Sequence, residues 1–187
     1  MDRVRFLFLI LYFQSPITFI NMSRPVKYFV KHSVFNIEKE TIKNIVKDRF
    51  VELTSFCLMP NHFHLIIKEV EENGIARYMQ RVLNSYTKYY NTKYHKSGHL
   101  FQGPYKAVHV ENNNQLLYLS TYIHRNPREI MEWKNKEDKY PWSSYQDLIT
   151  SNRFEELLVF DIINGQFEDK NEYNEFVKTS PAKLLED

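Results

Sequence analysis

At 187 residues with 43% hydrophobic content, the chain can bury a core without staples, which excludes a disordered or disulfide-scaffolded class. The single cysteine, Cys57, rules out an internal disulfide and any thiolate cluster, so a reducing, cytoplasmic setting is expected and a metal site must rest on His, Asp, Glu or Asn. Net charge is only +2, but residues 77–128 hold eight basic side chains against one acidic, Glu111, and so carry +7 while the remainder carries −5.

In chain order, Arg3 and Arg5 ahead of an apolar run over residues 6–13 imitate a signal peptide, yet no small-x-small cleavage site follows. The run is too short to span a bilayer, so residues 2 to about 13 read as a buried helix and no membrane partner is expected. Residues 15–34 show no period and contain Pro16 and Pro25, and are expected to be irregular; residues 37–48 form a second helical candidate. Two β-favouring runs, residues 50–58 and 62–70, flank Met59, Pro60 and Asn61 as an antiparallel pair.

Asn73 or Gly74 opens an amphipathic helix to about Asn91, with Ile75, Met79, Val82 and Tyr86 inward and Arg77, Arg81 and Lys88 outward. Residues 93–103 read as a loop and 105–110 as a strand. Asn113 or Asn114 then caps a helix that runs to Asn126 and is stopped by Pro127. Beyond Trp133 the chain is acidic and loosely helical. With four glycines, no repeat and no low-complexity stretch, one domain is expected, residues 1–150 forming its body and 151–187 an extension of it.

Two constellations carry chemistry. His62 and His64, two apart on a strand, project from one face and make half a site for a divalent cation, which needs at least one further ligand. Tyr118, Tyr122 and Asn126, four apart on a helix, share one face. An Asn carbonyl suits a hard cation, and a phenol can attack phosphorus if a cation nearby favours phenolate. Spacing alone fits a rim aromatic and a helix-ending residue better. The basic middle interleaved with Tyr86, Tyr89, Tyr90 and Tyr94 suits single-stranded nucleic acid, although composition alone favours a solvated helix face with tyrosines in the core. His95, His99 and His109 read as loop or surface histidines, and His124 should face away from Tyr122.

Both constellations match one family in order and spacing. Cys57-Leu-Met-Pro-Asn-His-Phe-His, Tyr86-Thr-Lys-Tyr-Tyr-Asn, Gly98-His-Leu-Phe-Gln-Gly, Tyr122-Ile-His-Arg-Asn-Pro and Pro141-Trp-Ser-Ser-Tyr resemble the HUH single-tyrosine transposases, in their REP-associated branch. The likeness is specific over about residues 51–145. It implies an α+β, ferredoxin-like antiparallel sheet with helices on one face. It implies Tyr122 as nucleophile and His62, His64 and Asn126 as ligands of Mg²⁺ or Mn²⁺; the basic middle offers Arg77, Arg81, Lys88, Lys106 and Arg125 as DNA contacts, with a solvated role as the alternative for Arg81 and Lys106. The reaction would be nicking and rejoining of single-stranded DNA at hairpins through a 5′-phosphotyrosine, by a monomer or homodimer. A catalytically impaired single-strand binding module is the alternative. Two departures stand out: the family's usual strand ahead of the first helix is missing, which implies either a sheet with an exposed edge or without a central member, or equally a start placed too far downstream, and Pro104 stands where a basic residue is expected.

Overall fold

The structure, a computed structural model, describes residues 1–18 and 21–182. The chain forms two compact units, Met1–Glu52 with Lys68–Val108, and Leu53–Ile67 with His109–Asp187. The class is α+β: α1 (Asp2–Tyr12), α2 (Ser23–His32), α3 (Lys39–Lys47), β1 (Val51–Leu58), β2 (Phe63–Glu69), α4 (Gly74–Tyr94), α5 (Asn113–Arg125), α6 (Tyr145–Ile149), α7 (Asp161–Asn164) and α8 (Lys170–Thr179). β1 and β2 are an antiparallel two-stranded sheet, and among the described residues no strand precedes α1.

In the first unit, α1 is apolar nearly all round and is buried accordingly, from Phe6 to Tyr12 without a break. It packs on α4, where the buried Tyr78 hydroxyl donates to the Ile10 carbonyl at 2.7 Å and Phe6 meets Tyr86 edge-on at 5.0 Å. Gly74 starts α4 because nothing larger fits: a Cβ there would lie 2.3 Å from the Phe50 carbonyl oxygen. The irregular stretch expected over residues 15–34 instead contains α2. Pro25 is its third residue, inside the first turn, where a backbone N–H has no intrahelical partner to lose.

In the second unit, the outer edge of β1 is covered by the residues 142–144. Leu58 N–H donates to Trp142 O at 2.8 Å, Ser144 N–H to Phe56 O at 2.9 Å, and Cys57 pairs with Ser143 in an antiparallel bridge. α5 is capped by Asn112, whose side chain accepts from Gln115 N–H at 2.9 Å, one residue before the expected caps. Leu116, Ser120, Thr121, Ile123 and His124 form its buried side. Pro127 ends the α-helix, but Asn126 keeps helical angles (φ −50°, ψ −39°) and opens a single 3₁₀ turn, Asn126–Glu129.

The strand expected over residues 105–110 does not form. The stretch is mostly exposed, with Val108 at 76%, and has no ladder partner among the described residues. β-favouring side chains are not sufficient for a strand, because its N–H and C=O groups require a neighbour.

Candidate active site

The site lies within the second unit and starts at the hairpin turn. Met59 N–H donates to His62 O at 2.9 Å, which closes the turn and sets His62 at the mouth of β2. Its Nδ1 is 2.8 Å from Asn61 Oδ1; since a carbonyl oxygen only accepts, Nδ1 carries the proton and the lone pair is on Nε2. His64 is half-buried on β2, its ring centroid 5.0 Å from that of His62 at 86°. The i, i+2 strand spacing therefore does bring the two imidazoles side by side.

α5 supplies the other half. The Tyr122 ring, half-buried, meets the His64 ring edge-on at 5.6 Å. One turn on, Asn126 has no exposed surface; its Nδ2 donates to the Tyr122 carbonyl at 3.1 Å, while its Oδ1 is buried with no hydrogen-bond partner. An unpaired buried acceptor costs about 1–3 kcal/mol. It is also a hard oxygen donor without a proton in front of it. Two imidazoles and an amide oxygen fit a small divalent cation, being nitrogen and oxygen donors with no thiolate. Among the described residues no three His, Cys, Asp or Glu side chains gather, so any third protein donor beside the two histidines would have to be of another residue type, such as the Asn126 amide. Tyr118, sharing the face, is 42% exposed.

The basic residues divide. Arg125 is only 4% exposed and donates to the Ser180 carbonyl, so its guanidinium is committed inside the second unit and is not presented to a strand. In the first unit, Arg81 donates to the carbonyls of Ser15 and Ile17, the latter at 2.9 Å, and lies over the Phe13 ring; it too is a structural cation, its pKa lowered by burial. Arg77 pairs with Glu71 at 2.7 Å on the surface, whereas Lys88 and Lys106 are exposed. Arg81 and Arg125 were expected to contact DNA; both sit where the carbonyls of neighbouring segments needed donors.

His124, two residues past Tyr122, faces away from it as expected and is fully buried. Its Nδ1 is 2.6 Å from the Tyr173 hydroxyl, its Nε2 2.9 Å from Ser144 Oγ, and its ring stacks on Tyr145 at 5.2 Å. Burial pushes its pKa down to about 3, which keeps the ring neutral. Ser144 and Tyr173 went unrecognised in the sequence, 20 and 49 residues from the histidine they hold. Only the Pro141-Trp-Ser-Ser-Tyr motif hinted at the first.

A model of the family described as transposase IS200-like matches residues 17–126, more than half of the chain. The chain belongs to that family. No curated protein and no solved structure gives a significant match. The transposase match takes in His62, His64, Tyr122 and Asn126, and ends before Ser144 and Tyr173. Membership makes this a DNA-processing chain of the transposase type. No helix among the described residues is long and apolar enough to cross a membrane.

Proposed function

We propose that this transposase cuts and rejoins single-stranded DNA beside a hairpin, with Tyr122 as the nucleophile. The Tyr122 oxygen forms a bond to the scissile phosphorus and the bond from phosphorus to the 3′-oxygen breaks. The phenol proton passes to solvent and the departing 3′-oxygen gains one, leaving a 5′-phosphotyrosine and a free 3′-hydroxyl. Attack by a 3′-hydroxyl on the phosphotyrosine reverses the step and reseals the strand.

His62, His64 and Asn126 are the residues that would hold a divalent cation, Mg²⁺ or Mn²⁺; when bound, it would polarise the phosphate and favour phenolate. The observation that carries this reading is the 5.6 Å approach of the Tyr122 and His64 rings from segments 58 residues apart, with the unpaired Asn126 Oδ1 one helical turn after Tyr122 as a further donor. Asn61 supports His62 by fixing its tautomer. Incubation with hairpin-bearing single strands and Mn²⁺ should give a protein–DNA adduct that survives denaturation and is absent in Tyr122→Phe. Salt-dependent DNA binding with no adduct from the wild-type chain would instead select the impaired binding module.

A further inference from the structure

α2 was unforeseen in the sequence and the site does not use it. Taken at about 100° per residue, Lys27, Lys31, Arg24 and Tyr28 fall within about 100° of arc on this helix, and all four are exposed. Val26 and Phe29 lie opposite: Val26 is buried, and the Phe29 ring meets Phe8 of α1 edge-on at 5.8 Å. From Arg3 to Ile37 the sequence has no carboxylate. Among the described residues none of the three cations makes an ion pair, although most of the paired cations in this unit meet an acid from a neighbouring segment. The helix thus presents a line of three positive charges, none of them in an ion pair, on a packed scaffold.

We propose that the outer face of α2 is a second DNA-contacting surface, one that grips the phosphate backbone of a double-stranded stem. The proposal rests on the reading of the chain as a hairpin-directed nickase, and adds the surface that holds the duplex part. Charge complementarity selects a polyanion. The placement of the cations on a packed helix selects a partner whose phosphates are themselves fixed in space, as in a duplex. Single strands are held chiefly by stacking platforms, and the one ring on this face, Tyr28, is already against His32 with centroids 4.5 Å apart. An anionic membrane needs the apolar side of an amphipathic helix, and here that side is packed against α1. The adjoining cleft is excluded as the phosphate site because Glu38 and Asp48 line it with Arg24.

The test is fluorescence anisotropy of the full chain with a fluorescein-labelled DNA hairpin across a salt series. A non-folding single strand of equal length and phosphatidylserine vesicles serve as parallel probes. Arg24→Gln/Lys27→Gln/Lys31→Gln should weaken hairpin binding roughly tenfold or more, and should lower the magnitude of the log–log salt slope by about two to three. Single-strand affinity should change less than about twofold. Lys39→Gln/Lys43→Gln/Lys47→Gln removes the same charge from α3, whose lysines are interspersed with Glu40, and should leave the hairpin slope unchanged. An unaltered slope in the α2 variant, an equal loss on the single strand, or vesicle binding abolished by it would each overturn the proposal. The Tyr122 adduct is scored separately: adduct without the slope change sinks this surface and spares the nickase, and the slope change without adduct does the reverse.

Discussion

The two sides of α5 meet different neighbours. On one, Tyr122 is half-buried beside His64 and Asn126 keeps an oxygen without a partner; on the other, His124 has both ring nitrogens engaged and Arg125 is spent on a carbonyl. All four residues belong to the string Tyr122-Ile-His-Arg-Asn-Pro, and all four are polar or ionisable. The difference teaches that a motif of reactive side chains on a helix contains its own anchor. Residues three or four apart are turned to the core together, where a polar side chain survives only if its hydrogen bonds are complete.

Replacing one side at a time should separate chemistry from anchorage. The largest effect is expected from Tyr122→Phe: adduct yield on a denaturing gel should fall by at least about a thousandfold, with the melting temperature held. If adduct persists, another nucleophile is at work and the reactive side of α5 has been misassigned. His62→Ala should come next, weakening Mn²⁺ binding in calorimetry by more than the roughly ten- to a hundredfold that loss of a ligand's supporting partner costs, and the adduct rate with it. Equal Mn²⁺ affinity in the variant would place the cation elsewhere.

On the anchoring side, His124→Ala should cost roughly 3 kcal/mol, because it opens a cavity and strands the Tyr173 hydroxyl and Ser144 Oγ. In a chain of this size that is about 6–12 °C in Tm. The same residue sets a pH dependence. Its pKa is about 3 when folded against 6.5 for an unburied imidazole, so between these values the unfolded chain binds a proton that the folded chain refuses. Stability should be full above pH 6.5 and decline as pH falls towards 3, by about 1–2 kcal/mol at pH 5. Denaturant titrations of His124→Gln should show that decline flattened; an undiminished decline would assign it to other groups. The smallest effect on function is expected from Arg125→Gln, which should lower stability yet leave the salt slope of DNA binding where it was. A slope reduced by about one would mean that Arg125 leaves Ser180 to meet a phosphate.

Much of the site was legible because its logic is local. The i, i+2 spacing of His62 and His64 and the i, i+4 spacing of Tyr122 and Asn126 predict shared faces, and the rings do come together. What eluded the sequence was partnership over distance. Arg81 and Arg125 carry no sign of the carbonyls they serve, which belong to segments 66 and 55 residues away. α2 was hidden by Pro25, a breaker anywhere but the first turn. Residues 105–110 failed in the opposite sense: their β propensity is real, but a strand is a property of a pair.

Cys57 gives the molecule a clock. It is the only thiol, has no exposed surface, and lies on the strand edge that Ser143 and Ser144 cover. A maleimide can reach it only when that edge lifts, so its rate of alkylation counts those excursions. Since Ser144 also fastens His124, each excursion slackens the tether of the helix that bears Tyr122.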